Sequence, residues 1–279
     1  LARGAGIPQV LRIPFVVDQA VEMLKEAGQL VLIGAKPPVA FFGYPGKPSL
    51  LYQEGIPMTR LANVEDDIIA ALEALEAELG AQNSEMAHVA QAGRPDKPSG
   101  EPTLENLAAV MGNMLPDGAI VVDESVTTGR GFFPATAGAA RHDWLNNRGG
   151  SIGFGMPVAI GAAVAAPDRK VILLEGDGSG MYTVQSLWTM ARENLDITTI
   201  IFSNRSYKIL RGELSNVGVQ NPGPRAIDML SLERPDLGWV HMARGMGVDG
   251  EQVTDCGGLM RAMEAGLQTD GPYLIDLVM

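Results

Sequence analysis

Asp177 and Asn204 each bring a side-chain oxygen to a position just past an apolar, β-rich run. Val171-Ile-Leu-Leu leads into the tripeptide Gly176-Asp177-Gly178, and Ile197 to Phe202 leads into Ser203-Asn204. A carboxylate and an amide oxygen suit a hard divalent cation such as Mg²⁺, which takes octahedral oxygen ligands and commonly shares them with phosphate. A second group of polar side chains, Glu124-Ser125-Val126-Thr127-Thr128-Gly129, follows the run Ala119-Ile-Val-Val-Asp123. Hydroxyls crowded there either cap the next turn or hydrogen-bond a phosphate.

The elements around these residues decide whether they can meet. Two glycines at 176 and 178 predict a tight turn, and a helix should follow, capped by Ser179 and carrying Leu187, Met190 and Ala191 at helical spacing. Strand, helix and strand make a βαβ unit with a right-handed crossover and parallel strands. Asp177 and Asn204 then share one sheet edge, where doubly wound α/β proteins bind ligands, and the helix start offers N–H groups to an anion. Taken alone, Gly-Asp-Gly reads as an ordinary turn, and it is the pairing with Asn204 that makes the pattern specific.

The same alternation extends through residues 103–279. Thr103 should cap a helix from Leu104 to Leu115; Ala119 to Asp123 is a strand; an Ala/Gly-rich helix runs from Val158 to Ala166 after the glycine-rich segment Gly149 to Met156. Helices are expected over 237–247 and 251–267, and a last strand over 271–278. This is an α/β fold with a doubly wound, mostly parallel sheet. Residues 1–80 read as part of a second α/β domain, with a helix over 15–26, a buried strand over 29–33 and an amphipathic helix over 65–79 whose stripe is Ile68, Ile69, Leu72, Leu75 and Leu79. Residues 81–102 lose periodicity, gain Pro, Gly and Ser, and read as a linker in which His88 is solvated.

Composition narrows the class. A net charge of −12 argues against a nucleic-acid partner or an anionic membrane surface. No apolar run approaches the roughly 20 residues of a membrane span, and no signal peptide is visible. The single cysteine, Cys256, cannot form an internal disulfide and fits a reducing, cytoplasmic setting as a small half-buried residue. The chain opens at Leu1 without Met, which reads as the interior of a longer polypeptide.

Gly176-Asp177-Gly178 and Asn204, twenty-seven positions beyond the Asp, together resemble the thiamine-diphosphate-binding motif. The resemblance covers nearly the whole chain. Residues 103–279 look like the diphosphate-binding domain of the acetolactate synthase and benzoylformate decarboxylase group, and Gly34 to Ser49 (GAKPPVAFFGYPGKPS) looks like the end of the central domain of acetolactate synthase large-subunit-like proteins. It implies that Asp177, Asn204 and the backbone carbonyl of Ser206 hold Mg²⁺. It further implies that Ser125, Thr127, Thr128, Gly176, Gly178, Ser179 and Tyr207 border the cofactor. Ile152 is then the aliphatic wedge that bends thiamine diphosphate into a V, and the carbonyl of Gly150 binds its amino group. Tyr207, Ile209, Leu210 and Glu213 either face substrate or simply pack. One departure is Ser203, where many members have a second Asn. Another is Phe41-Phe42-Gly43-Tyr44, which lacks the histidine that benzoylformate decarboxylases place in this region.

The implied chemistry is decarboxylation of a 2-oxo acid, ending in an aldehyde or, with a second 2-oxo acid, in an acetohydroxy acid. Nothing in these motifs provides a basis for a flavin. The resemblance places no catalytic residue in this chain. The glutamate that activates the cofactor belongs to a pyrimidine-binding domain, expected from the N-terminal part of a longer chain or from the neighbouring subunit of a homodimer or homotetramer. The chain alone is therefore expected to be inactive. A reading of another class is a non-enzymatic module that binds magnesium and a nucleotide phosphate on the same βαβ architecture.

Overall fold

The computed structural model describes all residues, 1–279. Their contacts form two compact units, one of Leu1–Gln9, His88–Ser215 and Val219–Met279, the other of Val10–Ala87 and Asn216–Gly218. The division expected from the sequence, at 80 and 103, differs at both ends of the larger unit. Its first strand, β1 (Ala2–Arg3), pairs antiparallel with a strand of the main sheet, and residues 88–90 pair with residues 6–9, so neither segment behaves as linker or second domain. Backbone pairing requirements decided this: a polar stretch with no side-chain periodicity still carries donors and acceptors that a sheet edge can satisfy.

In the smaller unit, β2 (Leu30–Ile33) and β3 (Met58–Ala62) form a two-stranded parallel sheet with helices Val17–Leu24 and Ile68–Glu78. Its core is small, centred on Val17, Ala20 and Leu51. The helix expected over 65–79 forms, with Asp67 accepting from Ala70 N at its start, but none of its residues is buried and Ile69 and Leu79 are each 70% exposed. Two strands offer too little surface to cover the whole apolar stripe.

The larger unit is a seven-stranded sheet. After β1 come β4 (Ala119–Glu124), β5 (His142–Asn146), β6 (Val171–Gly176), β7 (Ile197–Ser203), β8 (Asp249–Val253) and β9 (Tyr273–Val278), in the spatial order β1-β5-β4-β6-β7-β9-β8. All but β1 run parallel. Every residue of β7 and the first five of β6 are buried, as strands covered on both faces must be. Side chains alternate between two cores: Ile172 and Leu174 join Leu107, Met111, Leu259 and Met263 on one face, while Val171 and Leu173 join Met156, Ala159, Leu187 and Trp239 on the other. Helices Leu104–Met114 and Cys256–Gln268 supply the first layer, and Gly155–Ala165, Ser186–Arg192 and Trp239–Gly245 the second. The architecture is a doubly wound α/β sandwich.

Two expectations change. Residues 249–253 are strand, not the start of a helix; the helix begins only at Cys256, behind Asp255, whose side chain accepts from Gly258 N at 2.8 Å. Asp249-Gly-Glu-Gln-Val carries almost no apolar signal, because β8 is the sheet's far edge. Cys256 is fully buried rather than half-buried. No helix is long and apolar enough to cross a membrane.

Candidate cofactor and metal site

β4 has β5 on one side and β6 on the other, so chain connections leave in opposite directions after these two strands. That makes the crevice beyond the carboxyl ends of β4 and β6 the switch point at which such sheets take ligands. The predicted Gly-Asp-Gly and Ser125 to Thr128 segments both begin there.

Gly176 and Gly178 do not form a tight left-handed turn. Gly176 is extended at φ −84° and Gly178 lies within a single helical turn, Asp177–Gly180. Their small size serves packing instead: a Cβ on Gly178 would lie 2.8 Å from the Tyr207 ring, and one on Gly176 would lie 3.1 Å from Ser179 Oγ. The single long helix expected after Ser179 is broken into that turn and Ser186–Arg192. Ser179 caps neither; its hydroxyl donates to Oε1 of the buried Glu175, four residues back, at 2.5 Å.

Asp177 is 3% exposed, with Oδ1 accepting from Gly178 N at 2.9 Å and Oδ2 from Arg205 N at 2.6 Å. Burial pushes its pKa up to about 6, against the pull of those two backbone donors. Both donors are neutral, so the buried charge has hydrogen bonds but no counter-ion among them. The second bond also joins the Gly-Asp-Gly turn to the segment after β7, next to Asn204. There Arg205 adopts φ +54° and lets the chain reverse. Asn204 Oδ1 accepts from Ser206 N at 3.0 Å, Ser206 Oγ donates to Leu230 O, and Tyr207 N donates to Leu230 O. The Ser206 carbonyl accepts from Lys208 N at 2.8 Å. The following helix, Lys208–Asn216, has no buried residue, and Leu210 is 46% exposed.

Around β4 the hydroxyls divide. Ser125, 2% exposed, turns inward and donates to Asp123 Oδ1 at 2.5 Å, so its hydrogen is committed within the loop rather than offered to a ligand. Val126 takes φ +49°, after which Thr127 is half-buried and Thr128 buried at the start of a 3₁₀ turn, Thr128–Gly131. In the glycine-rich segment, Gly150 is exposed at φ +77° and its N–H donates to Asn147 Oδ1 at 2.7 Å. Ile152 is 48% exposed.

Two residues that the sequence does not single out stand at the centre. Glu124, the last residue of β4, and Glu175, the last but one of β6, are register partners and are 3% and 0% exposed. Glu124 Oε1 accepts from Gly153 N at 2.6 Å and Oε2 from Gly155 N. Glu175 Oε1 accepts from Ser179 Oγ and from Gly176 N, while its Oε2 is buried without a donor. Burial first, and the Glu124 charge second, drive the Glu175 pKa well above the usual carboxylate range. That direction favours the acid form of Glu175 beside the Glu124 carboxylate. The legible signal was a Glu at the carboxyl end of each of two apolar runs, Ala119 to Val122 and Val171 to Leu174, in strands with both faces covered.

A magnesium–diphosphate group fits what the residues offer. The donor set is one carboxylate, one amide oxygen and one carbonyl, all hard oxygens, and no group of three or more His, Cys, Asp or Glu converges to suggest a softer or more heavily charged centre. A cation beside Asp177 would supply the counter-charge its buried carboxylate lacks.

The family profile described as "Thiamine pyrophosphate enzyme, C-terminal TPP binding domain" matches residues 132–277, which contain Asp177 and Asn204. The Mycobacterium tuberculosis protein IlvX, provisionally described as an acetolactate synthase large subunit, is 49% identical over all 279 residues, which make up 54% of its length. Benzoylformate decarboxylase of Pseudomonas aeruginosa is 31% identical over 189 residues, 68% of this chain and 33% of that protein. The thiamine diphosphate-dependent 4-hydroxybenzoylformate decarboxylase of Rhodococcus jostii RHA1 superposes with a TM-score of 0.75 at 25% identity, over 96% of this chain and 51% of that one. Against IlvX and the Rhodococcus structure the chain thus spans about half the relative's length. A sheet of this order, with its acidic turn at the switch point and this profile match across more than half the residues, makes the chain a member of the thiamine pyrophosphate enzymes.

Proposed function

We propose that this chain supplies the diphosphate- and magnesium-binding half of an enzyme that decarboxylates a 2-oxo acid and either releases an aldehyde or joins the fragment to a second 2-oxo acid. The observation that carries the reading is Asp177, a carboxylate buried with only neutral donors and tied through Arg205 N to the segment that bears Asn204. In this reading Asp177, Asn204 and the Ser206 carbonyl hold Mg²⁺. Asn204 Oδ1 and the Ser206 carbonyl each already accept one hydrogen bond, and each keeps a lone pair for a metal.

Bound thiamine diphosphate would supply the electron sink for loss of CO₂. The chain's own residues bind and orient. Gly176, Gly178 and Ser179 keep the turn narrow beside the diphosphate, Thr127 and Thr128 border it from the β4 side, and Tyr207 packs over Gly178. Ile152 and the backbone carbonyl of Gly150 would hold the ring end of the cofactor. Ser125 serves the loop instead, through Asp123. The activating glutamate and the rest of the active site come from a pyrimidine-binding domain outside this sequence, in a homodimer or homotetramer of a cytoplasmic enzyme.

Calorimetric titration of the chain with thiamine diphosphate and with ATP, each with Mg²⁺, tests the reading. Thiamine diphosphate should bind more tightly, and Asp177→Ala should abolish its retention while leaving the fold intact by circular dichroism. Tighter ATP binding that depends on Asp177 would favour a nucleotide-phosphate module instead. The chain alone should turn over no 2-oxo acid; product formation from a panel of them, read by mass spectrometry, would overturn the assignment of the activating glutamate to another domain.

A further inference from the structure

Segment 147–155 crosses the switch point between β5 and the helix Gly155–Ala165, and it is braced at two places. Near its start Asn147 bridges it, donating to Ser151 O and accepting from Gly150 N. At its end both oxygens of Glu124 accept backbone hydrogens, from Gly153 and from Gly155. Ile152, 48% exposed, stands between the two braces. The glycines bring the backbone close: Gly153 has φ +86° and a Cβ there would lie 2.5 Å from Tyr182 Cβ, while a Cβ on Gly155 would lie 2.4 Å from Glu175 Oε2 and 2.9 Å from Glu124 Oε2. The helix Gly155–Ala165 has no side-chain cap of its own, so its first N–H is satisfied from another strand. An apolar residue at 124 would fill this buried space without the cost of a carboxyl group, and the polar choice needs a reason.

We propose that Glu124 is a positioning residue whose two hydrogen bonds fix segment 150–155, and with it Ile152, against the Gly176–Ser179 turn, so that the surface meeting the rings of the cofactor is set relative to the surface meeting its diphosphate. The inference rests on the thiamine-diphosphate reading of the site. Glu175, the register partner of Glu124 on β6, holds the other side through its bonds with Gly176 N and Ser179 Oγ.

Because Glu124 holds the ring side and not the metal side, two ligands separate positioning from general damage. Magnesium pyrophosphate needs only the Asp177 region, whereas magnesium thiamine diphosphate needs both. In Glu124→Gln, one acceptor oxygen is replaced by a donor facing a backbone N–H. Titrated into the full chain, thiamine diphosphate should bind about tenfold more weakly or worse than to the native chain, since a hydrogen bond to a charged group is lost, while pyrophosphate affinity stays within about twofold. Glu124→Asp keeps the charge but falls one methylene short, and should show the same pattern to a smaller degree; it decides the question if the Gln variant does not fold. Equal losses for both ligands, or no loss for either, would overturn the proposal. Amide exchange at 150–155 reads the clamp without ligand: faster exchange in the variant supports it, and unchanged exchange refutes it. Should the native chain bind pyrophosphate but no thiamine diphosphate, the functional reading fails while the exchange measurement still judges the clamp.

Discussion

Asp177 carries a pH dependence whose sign follows from its burial. Its folded pKa, about 6, lies above the ordinary 3.8, so its stabilising contribution in the metal-free protein is complete below pH ~3.8 and is lost as pH rises through ~6. A two-unit shift corresponds to at most about 3 kcal/mol. Glu175 acts in the same direction. A divalent cation opposes the trend, since it binds only the carboxylate. The metal-free chain should therefore melt at progressively lower temperature between about pH 4 and pH 6, saturating Mg²⁺ should restore the loss at pH 7, and Mg²⁺ affinity should fall about tenfold per unit below pH ~6. Thermal melts and metal titrations at pH 5, 6 and 7.5 check this. A flat profile without metal would mean that Asp177 stays charged at no cost.

At the level of strands and helices, much was legible, and each exception has its own physical cause. β4, β6, β7 and β9 announced themselves as continuous apolar runs because both of their faces are covered. Thr103 and the helix behind it were equally plain, with Thr103 Oγ1 accepting from Asn106 N. β1 and β8 escaped because they are the two edges of the sheet, where backbone pairing rather than side-chain burial defines a strand. Side-chain spacing after Asp177 predicts one continuous helix, because it does not report the interruption at 181–185, between the two helical pieces. Glu124 and Glu175 escaped because single charged residues at strand ends look like loop residues until the register sets them side by side. The β8 edge is testable. Gly250 sits opposite Leu274, and a Cβ there would lie 2.1 Å from the Leu274 carbonyl oxygen. Gly250→Ala should cost about 1–3 kcal/mol through forced separation of β8 from β9, measured by urea denaturation, and an unchanged midpoint would show that this edge yields without penalty.

On the scale of the molecule, the two units differ in how much they bury. The larger has a core on each face of its sheet, while the smaller buries only Val17, Ala20, Leu32, Leu51 and Ala62 and leaves Phe15, Phe41 and Phe42 each at least half exposed around one another. The ladder noted at the entrance to the larger unit has a topological result. Gly6 N meets Ala90 O, Ala90 N meets Ile7 O and Gln9 N meets His88 O, so the chain departs and returns through one antiparallel doorway. Residues 10–87 are an excursion with their stem already zipped, and no strand of the seven depends on threading through them. Replacing 10–87 by a two-residue Asn-Gly turn should leave a protein of roughly 200 residues that unfolds cooperatively and retains its helical circular dichroism. Loss of the cooperative transition would show that the excursion props up the sheet. If the transition survives, the cofactor-bearing sandwich is a self-contained cassette, able to be lifted out of one polypeptide and seated in another by rejoining two neighbouring strand ends.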